Sequence, residues 1–395
     1  MNKYLLNKET ILHSMSLCAL VMLFAGSFIY NSLIGLYNIP SYLGGYFTIV
    51  SIILFLIYII LISVKGVFPR NGLIIISGMV FWFIFVSLEY VLSTSYLRLD
   101  IYLWSITQIL ANIICFFIAL NLKLSNKNIR YLIMILIIFS LIVFSNIFDG
   151  RFDLRSQSEN DRVATYQIFG LSILVISFIV FAHLRTNFSK FFCFIISILL
   201  LYFNGSRSEF VFYIISVVTL FVLIEGKGEK RGYYLLFLPV IFFLGFLGLN
   251  YVGSLSGNRV TELMNISEAT SFLAREQLNS FALDTIINKP FTGEYGAYLD
   301  IYGMGNYAHN ILSAWADFGL LGFIVFFGTS FYLLVFSVIG LIKSDIVTDS
   351  FKLLFLFSLS LFIGYLFAKD YSYMFLGFSL GFYINATTLK NNEII

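Results

Sequence analysis

The feature that most constrains this chain is the recurrence of apolar stretches long enough to cross a bilayer. Residues 11–30 and 43–63 contain no Asp, Glu, Lys or Arg, and comparable apolar runs follow near 72–92, 101–120, 131–148, 165–183, 189–203, 209–224, 233–252, 311–342, 351–367 and 371–387. A hydrocarbon core of about 30 Å needs roughly 20 apolar residues of helix, and in lipid the backbone is satisfied only by helices or closed barrels. The runs lack the alternation of a barrel strand. The expected fold is therefore all-α: a polytopic transmembrane bundle of about twelve spans, forming one integral membrane domain over residues 1–395. Composition agrees, since 59% of the residues are hydrophobic and 11% charged, against about a quarter charged in soluble domains.

The first run follows Lys3 and Lys8. It is too long for a signal-peptide core and no small-residue cleavage site follows it, so a retained signal anchor is expected. Cys18, Cys115 and Cys193 all fall inside apolar runs and suggest neither a disulfide framework nor a metal cluster. They are expected to be small core residues. The net charge of +3 says little about partners, because its distribution across the membrane matters more than its sum; nucleic acid is not an expected partner.

With the N-terminus placed in the cytoplasm, fifteen of the 24 Lys and Arg residues fall in inner segments and nine in outer ones, as the positive-inside rule requires. Both termini are then cytoplasmic. Eleven of the fifteen inner cations are Lys, whereas seven of the nine outer ones are Arg. Arg presents a planar fork that pairs bidentately with phosphate, while Lys is a hydrated point charge. The outer bias points to an anionic partner; salt bridges within acid-rich outer loops are the alternative.

Two outer loops are long. Residues 149–164 pack three Arg, Arg155 among them, with four acids, the pattern of a solvated or substrate-facing loop. The second, 253–310, carries Arg259 and Arg275. Within it Ala274, Leu278, Phe281, Ala282 and Ile286 recur at helical spacing, which predicts an amphipathic helix over 268–288 with its stripe on the bundle or the membrane surface.

Two constellations can carry chemistry. The break NGSRSE, residues 204–209, sits between two short legs: the 34 residues from Phe191 to Ile224 leave about 15 per leg, roughly 22 Å of helix against a hydrocarbon core of about 30 Å. Arg207 is thus expected below the headgroups, where a charge is costly unless it is paired or lines a wet cavity; pairing with Glu209 or snorkelling is the alternative. In NYAHNILSAWADFGLLG, residues 306–322, His309 is the one histidine expected outside, next to Asn310 and just ahead of a helix. An imidazole there can act as a general base near neutral pH; an interfacial structural role is the alternative. Glu89, inside the third run near its outer end, needs a partner such as an outer Arg. No DxD, HExxH or Cys/His cluster is present, and the Glu159–Asp161 pair lies among mixed charges, so neither a metal nor another cofactor is expected.

The order of an SR turn between two spans (Gly205, Ser206, Arg207), an Arg-bearing helix followed by Pro and Gly (Arg275, Pro290, Gly293), then His309 and Asn310 leading into Asp317, Gly319 and Gly322 resembles the O-antigen polymerase and ligase family. The resemblance covers residues 200–330, the first half matching only as a string of spans. It implies a bacterial cytoplasmic-membrane enzyme that transfers glycan from a polyprenyl-diphosphate-linked oligosaccharide to a sugar hydroxyl, inverting and without a metal. Arg207 and Arg275 would hold the diphosphate and His309 would be the base; Arg259, Asn310, Glu89 and Arg155 are secondary substrate contacts. Membrane lipid and a chain-length regulator protein are the further partners implied. The interval from His309 to Asp317 is about one residue shorter than the family's usual form, which leaves Asp317 without an assigned role. A polymerase of lipid-linked repeat units is the leading expectation. The ligase of the same family and a flippase or transporter of the same lipid-linked glycan are its rivals, although transporters place ionisable residues near the midplane and here the charges gather at span ends.

Overall fold

The computed structural model describes residues 2–39, 45–65, 70–92, 98–148, 150–152, 154, 166–225, 270–303, 306–343 and 347–392. Its helices are α1 (Asn2–Leu20), continued by a π-helical turn (Val21–Gly26) into α2 (Ser27–Tyr37), then α3 (Tyr46–Lys65), α4 (Arg70–Leu92), α5 (Arg98–Asn121), α6 (Asn126–Ser145) and α7 (Tyr166–His183). After these come α8 (Asn187–Asn204), α9 (Arg207–Glu225), α10 (Thr270–Asn288), α11 (Ala297–Tyr302), α12 (Leu312–Lys343), α13 (Asp349–Phe367) and α14 (Phe375–Asn392). Among the described residues there is no strand, only an isolated bridge between Phe148 and Arg151. Among the described residues, ten helical segments are long and apolar enough to cross a membrane. The run expected at 233–252 lies outside the described residues.

The outward faces are what make this a membrane protein. Phe81 is 67% exposed and Val91 74%, and α3, α4, α6 and α12 bury only a minority of their apolar residues. Water does not tolerate apolar patches of that extent; lipid does. Inside the bundle α7 and α13 are the most buried spans, and Phe178, Phe357, Phe375, Phe378 and Phe382 form a continuous aromatic cluster. Hydroxyl pairs cross between helices, Ser216 with Ser360 at 2.9 Å, Ser337 with Ser358 at 3.2 Å and Ser16 with Tyr58 at 3.0 Å, the polar cross-links that helices use where no hydrophobic force acts between them.

The tightest contact joins α5 to α14. A Cβ at Gly377 would stand 2.1 Å from the Asn112 carbonyl oxygen and one at Gly381 2.4 Å from that of Phe116, so glycine lets the two backbones touch. Asn112 then donates to the Ser372 carbonyl at 2.8 Å and accepts from the Gly377 amide at 3.0 Å. The loop between α13 and α14 is thereby tied to α5. The π turn has a local cause too: the Tyr46 hydroxyl donates to the Met22 carbonyl at 3.0 Å over Gly26, where a Cβ would collide with that hydroxyl. An inserted side chain of this kind loosens the helical ladder.

Three expectations need correction. The run at 371–387 is not helical throughout: residues 371–374 form a turn and the helix starts at Phe375. It then continues into Asn385, Thr387 and Lys390 and is not among the ten. Cys115 and Cys193 are buried but Cys18 is exposed. The loop 149–164 is not simply solvated, because Phe152 is buried against Phe169 and its amide donates to the Phe203 carbonyl at 2.7 Å; most of that loop lies outside the described residues.

Candidate functional site

At one end of the bundle four chain segments converge: the turn between α8 and α9, the helix α10, the return segment 306–311, and the loop between α13 and α14. The first is built by close approach. Asn204 ends α8, Gly205 follows at φ 72°, the left-handed cap that glycine adopts without strain, and Ser206 presses against Gly170, where a Cβ would stand 2.1 Å from its hydroxyl. Asn204 Nδ2 donates to the Tyr166 carbonyl and the Ser206 hydroxyl, both at 2.8 Å. Arg207 opens α9 half-buried. Two residues on, Glu209 is 1% exposed and pairs with Lys369 Nζ at 2.6 Å while accepting from Ser208 at 2.8 Å.

A helix stands where the sequence predicts one, as α10; Leu278, Ala282 and Ile286 of the expected stripe are buried, while Leu283 and Ile287 are exposed. Arg275 and Asn279, four residues apart, share a face. Asn279 Oδ1 accepts from Asn310 Nδ2 at 3.2 Å, and Asn310 Oδ1 accepts from the Leu312 amide at 3.0 Å. Asn310 thus caps α12 and fastens it to α10. The Ile311 amide donates to the Tyr365 carbonyl at 2.6 Å, which ties the same segment to α13.

His309 stands in this junction with its ring 4.4 Å from that of Tyr307. Its pKa is pushed down to about 4, by burial first and then by the positive charges of Arg275 and Lys369, while a hydrogen bond to the Ala368 carbonyl opposes the shift. Nδ1 is buried and has no hydrogen-bond partner among the described residues. A neutral imidazole that donates from one nitrogen carries a lone pair on the other. His309 is therefore held as a proton acceptor beside two cations. Burial also drives the Tyr307 hydroxyl up, with Asp370 and Glu209 adding to it and Arg275 opposing.

A second knot holds the start of α12. Gly319 has φ 67° and ψ −168° inside the helix, and a Cβ there would stand 2.0 Å from the Phe291 carbonyl oxygen. Gly293, at φ 66°, meets the Ala316 carbonyl and the Gly319 amide in the same way. The 290–294 segment takes over the bonds that the kink frees: Leu320 donates to the Pro290 carbonyl at 2.9 Å, Glu294 to that of Ala316 at 2.6 Å, and Trp315 Nε1 to Pro290 at 2.8 Å. Asp317, 2% exposed, accepts from the Gly296 amide at 3.1 Å, the Tyr298 hydroxyl at 3.0 Å and the Tyr371 hydroxyl at 2.8 Å. It binds three segments together, a structural role for a residue that the sequence left unassigned.

Arg275, His309 and Asn310 are brought together, and Arg207 lies two residues from the Glu209–Lys369 pair beside them. Glu89 is half-buried on α4, one turn beyond Phe85, and makes no ion pair among the described residues. Arg155 and Arg259 lie outside the described residues. Sequence reasoning missed Asn279, Lys369 and Asp370. Asp370 is 5% exposed, accepts the single Ser372 hydroxyl proton between its two carboxylate oxygens, and is raised to about 6 by burial, against the lowering pull of Ser372 and Lys369. Lys369 was marked only by being one of the two Lys expected in outer segments, and Asn279 by its four-residue spacing from Arg275. The other of these, Lys289, pairs with Glu294 at 2.9 Å with both side chains about half exposed, a contact worth little. Among the described residues no group of three or more His, Cys, Asp or Glu side chains stands ready for a metal ion.

The fold and this junction define a membrane-embedded helix bundle with a cationic, histidine-bearing site at one end. No family model matches the chain, and no curated protein matches it either.

Proposed function

We propose that the protein is a polymerase of lipid-linked oligosaccharide repeat units, working at the outer face of a bacterial cytoplasmic membrane. One observation carries the reading: the charge of Arg275 acts on a neutral His309 where α10 meets the start of α12. The acceptor hydroxyl oxygen attacks the anomeric carbon of the growing chain, the bond from that carbon to diphosphate breaks, and polyprenyl diphosphate leaves with the electron pair. Arg275 and Arg207 stabilise the charge that develops on the leaving group, the effect of preorganised cations in a poorly hydrated site. The neutral His309 imidazole takes the hydroxyl proton. An arriving diphosphate offsets the cations that depress His309, so the base strengthens when the donor is in place. The outer location and cytoplasmic termini rest on the charge distribution.

The test is the surface glycan of cells carrying His309→Ala. Loss of a general base costs about 10² to 10⁴ in rate, so chains should collapse to one repeat per anchor at normal protein level. No attached repeat at all would favour the ligase or the flippase, whose failure stops attachment or delivery. A normal ladder would remove His309 from the chemistry.

A further inference from the structure

A cavity of about 550 Å³ runs along α5, walled by Phe47 and Thr48 of α3, Asp100, Trp104 and Gln108 of α5, Ser172 of α7 and Met374. Asp100, Trp104 and Gln108 are spaced by four, so they form one stripe along a single helix face, spanning about 12 Å. Among the described residues the Asp100 carboxylate, the Trp104 indole N–H and the Gln108 amide make no hydrogen bond or ion pair. Asp100 is exposed and Trp104 and Gln108 are partly so, so a carboxylate, an indole face and a side-chain amide stand open on one wall of the cavity to a ligand that can answer all three. A hydrocarbon chain answers none of them. A different cavity suits such a chain: about 370 Å³, between α4, α12 and α14, with Met79, Phe85, Leu321, Phe326 and Leu380 in its lining.

The cavity along α5 is also connected to the site. The Trp104 ring lies 6.4 Å from Tyr307, and Tyr307 lies 4.4 Å from His309. Helix α5 is locked to the Lys369-bearing loop through Asn112, Ser372 and Gly377, so the stripe and the site move as one body.

We propose that this groove is the saccharide subsite for the acceptor, with a sugar ring stacked on Trp104 and its hydroxyls bound by Asp100 and Gln108. A pyranose has a C–H face that packs on an indole and an equatorial rim of hydroxyls that pair with a carboxylate and an amide, which both donates and accepts. The stack delivers a hydroxyl of the next repeat towards His309. The assignment of the acceptor rests on the transfer reading above; the binding of saccharide does not.

The chain has three Trp, so Trp82→Phe with Trp315→Phe leaves Trp104 as the reporter. Purified protein in nanodiscs is titrated with the cells' own repeat-unit oligosaccharide, released from its lipid by mild acid. A saturable change in Trp104 emission, weakened about tenfold by Gln108→Ala, is expected, the loss of one or two hydrogen bonds being worth about that much. In a transfer assay on otherwise native protein, Gln108→Ala should raise the KM for released acceptor about tenfold and leave the KM for the lipid-linked donor unmoved. Saccharide binding without any transfer supports the subsite and sinks the polymerase reading. Transfer that proceeds with no Trp104 response and an unchanged acceptor KM overturns the subsite and spares the polymerase. Quenching of Trp104 by brominated phospholipid but not by the oligosaccharide makes the groove a lipid site and overturns the proposal.

Discussion

At the scale of single residues, the site is governed by how positive charge is compensated. Glu209 neutralises Lys369 through a contact of 2.6 Å in which both side chains are nearly buried, so Arg275 is the cation whose charge reaches His309 uncompensated by that pair. The consequence is measurable. With ε1-labelled histidine in micelles, the chain's three imidazoles give three resonances, and that of His309 should titrate near 4. Arg275→Gln removes the charge but not the burial, and should move the midpoint up towards 6.5 by part of the interval. The sign for stability follows: a folded-state pKa below the free value means that the folded protein binds fewer protons between about pH 6.5 and 4, so stability present above pH 6.5 is lost as pH falls to about 4. An unperturbed midpoint in the native protein would refute the cationic, desolvated setting. Asp370, raised to about 6, adds the opposite dependence, and reading His309 by its own resonance keeps the two apart.

At the scale of elements, the decisive device is the break in α12. Gly319 occupies a conformation open essentially to glycine alone, so Gly319→Ala should cost about 1–3 kcal/mol from the backbone, with the clash against Phe291 in addition. Gly328 on the same helix, where an added Cβ would meet no atom within 4 Å, is the control: Gly328→Ala should leave the thermal midpoint unchanged or raise it. Equal midpoints for both variants would mean that the kink is not fixed by glycine. The positions of α10 and α12 were legible, because the length of an apolar run sets a span and three-and-four spacing sets an amphipathic stripe, as the burial of Leu278, Ala282 and Ile286 bears out. The kink was not. Gly293 and Gly319 meet across 26 positions, and nothing in either local sequence reports a partner that distant. The loop between α13 and α14 was hidden for another reason: Tyr371, Tyr373 and Met374 are as apolar as a span, and they are buried in protein while forming a turn. Hydropathy measures burial, and it cannot tell a buried turn from a helix.

At the scale of the whole molecule, helix α13 fixes the distance between two chemically different ends. Its first turn holds Asp349, which meets Lys352 at 2.7 Å and Arg185 at 3.0 Å, and its last residues lead into Lys369 beside Glu209. The 19 residues from Asp349 to Phe367 rise about 28 Å, one hydrocarbon thickness, so the Arg185 end and the His309 end face opposite sides of any bilayer that the helix crosses. By the positive-inside rule, the charge distribution predicts a cytoplasmic Arg185 end. Reporter fusions at residues 185, 280 and 392 should therefore read inside, outside and inside. The three are not independent in what they test. Residue 280 sits on α10, one residue past the Asn279 that binds Asn310, so its side is the side of Arg275 and His309. Residue 392 ends α14, which starts beside Lys369 and leads away from it. If 280 read outside and 185 also read outside, α13 would not span, and the ten-helix reading of the bundle would fail at one of its two most buried members. If 280 read inside with 185 outside, the bundle would stand inverted, and a site for glycan transfer at the outer face would be excluded whatever the chemistry of His309.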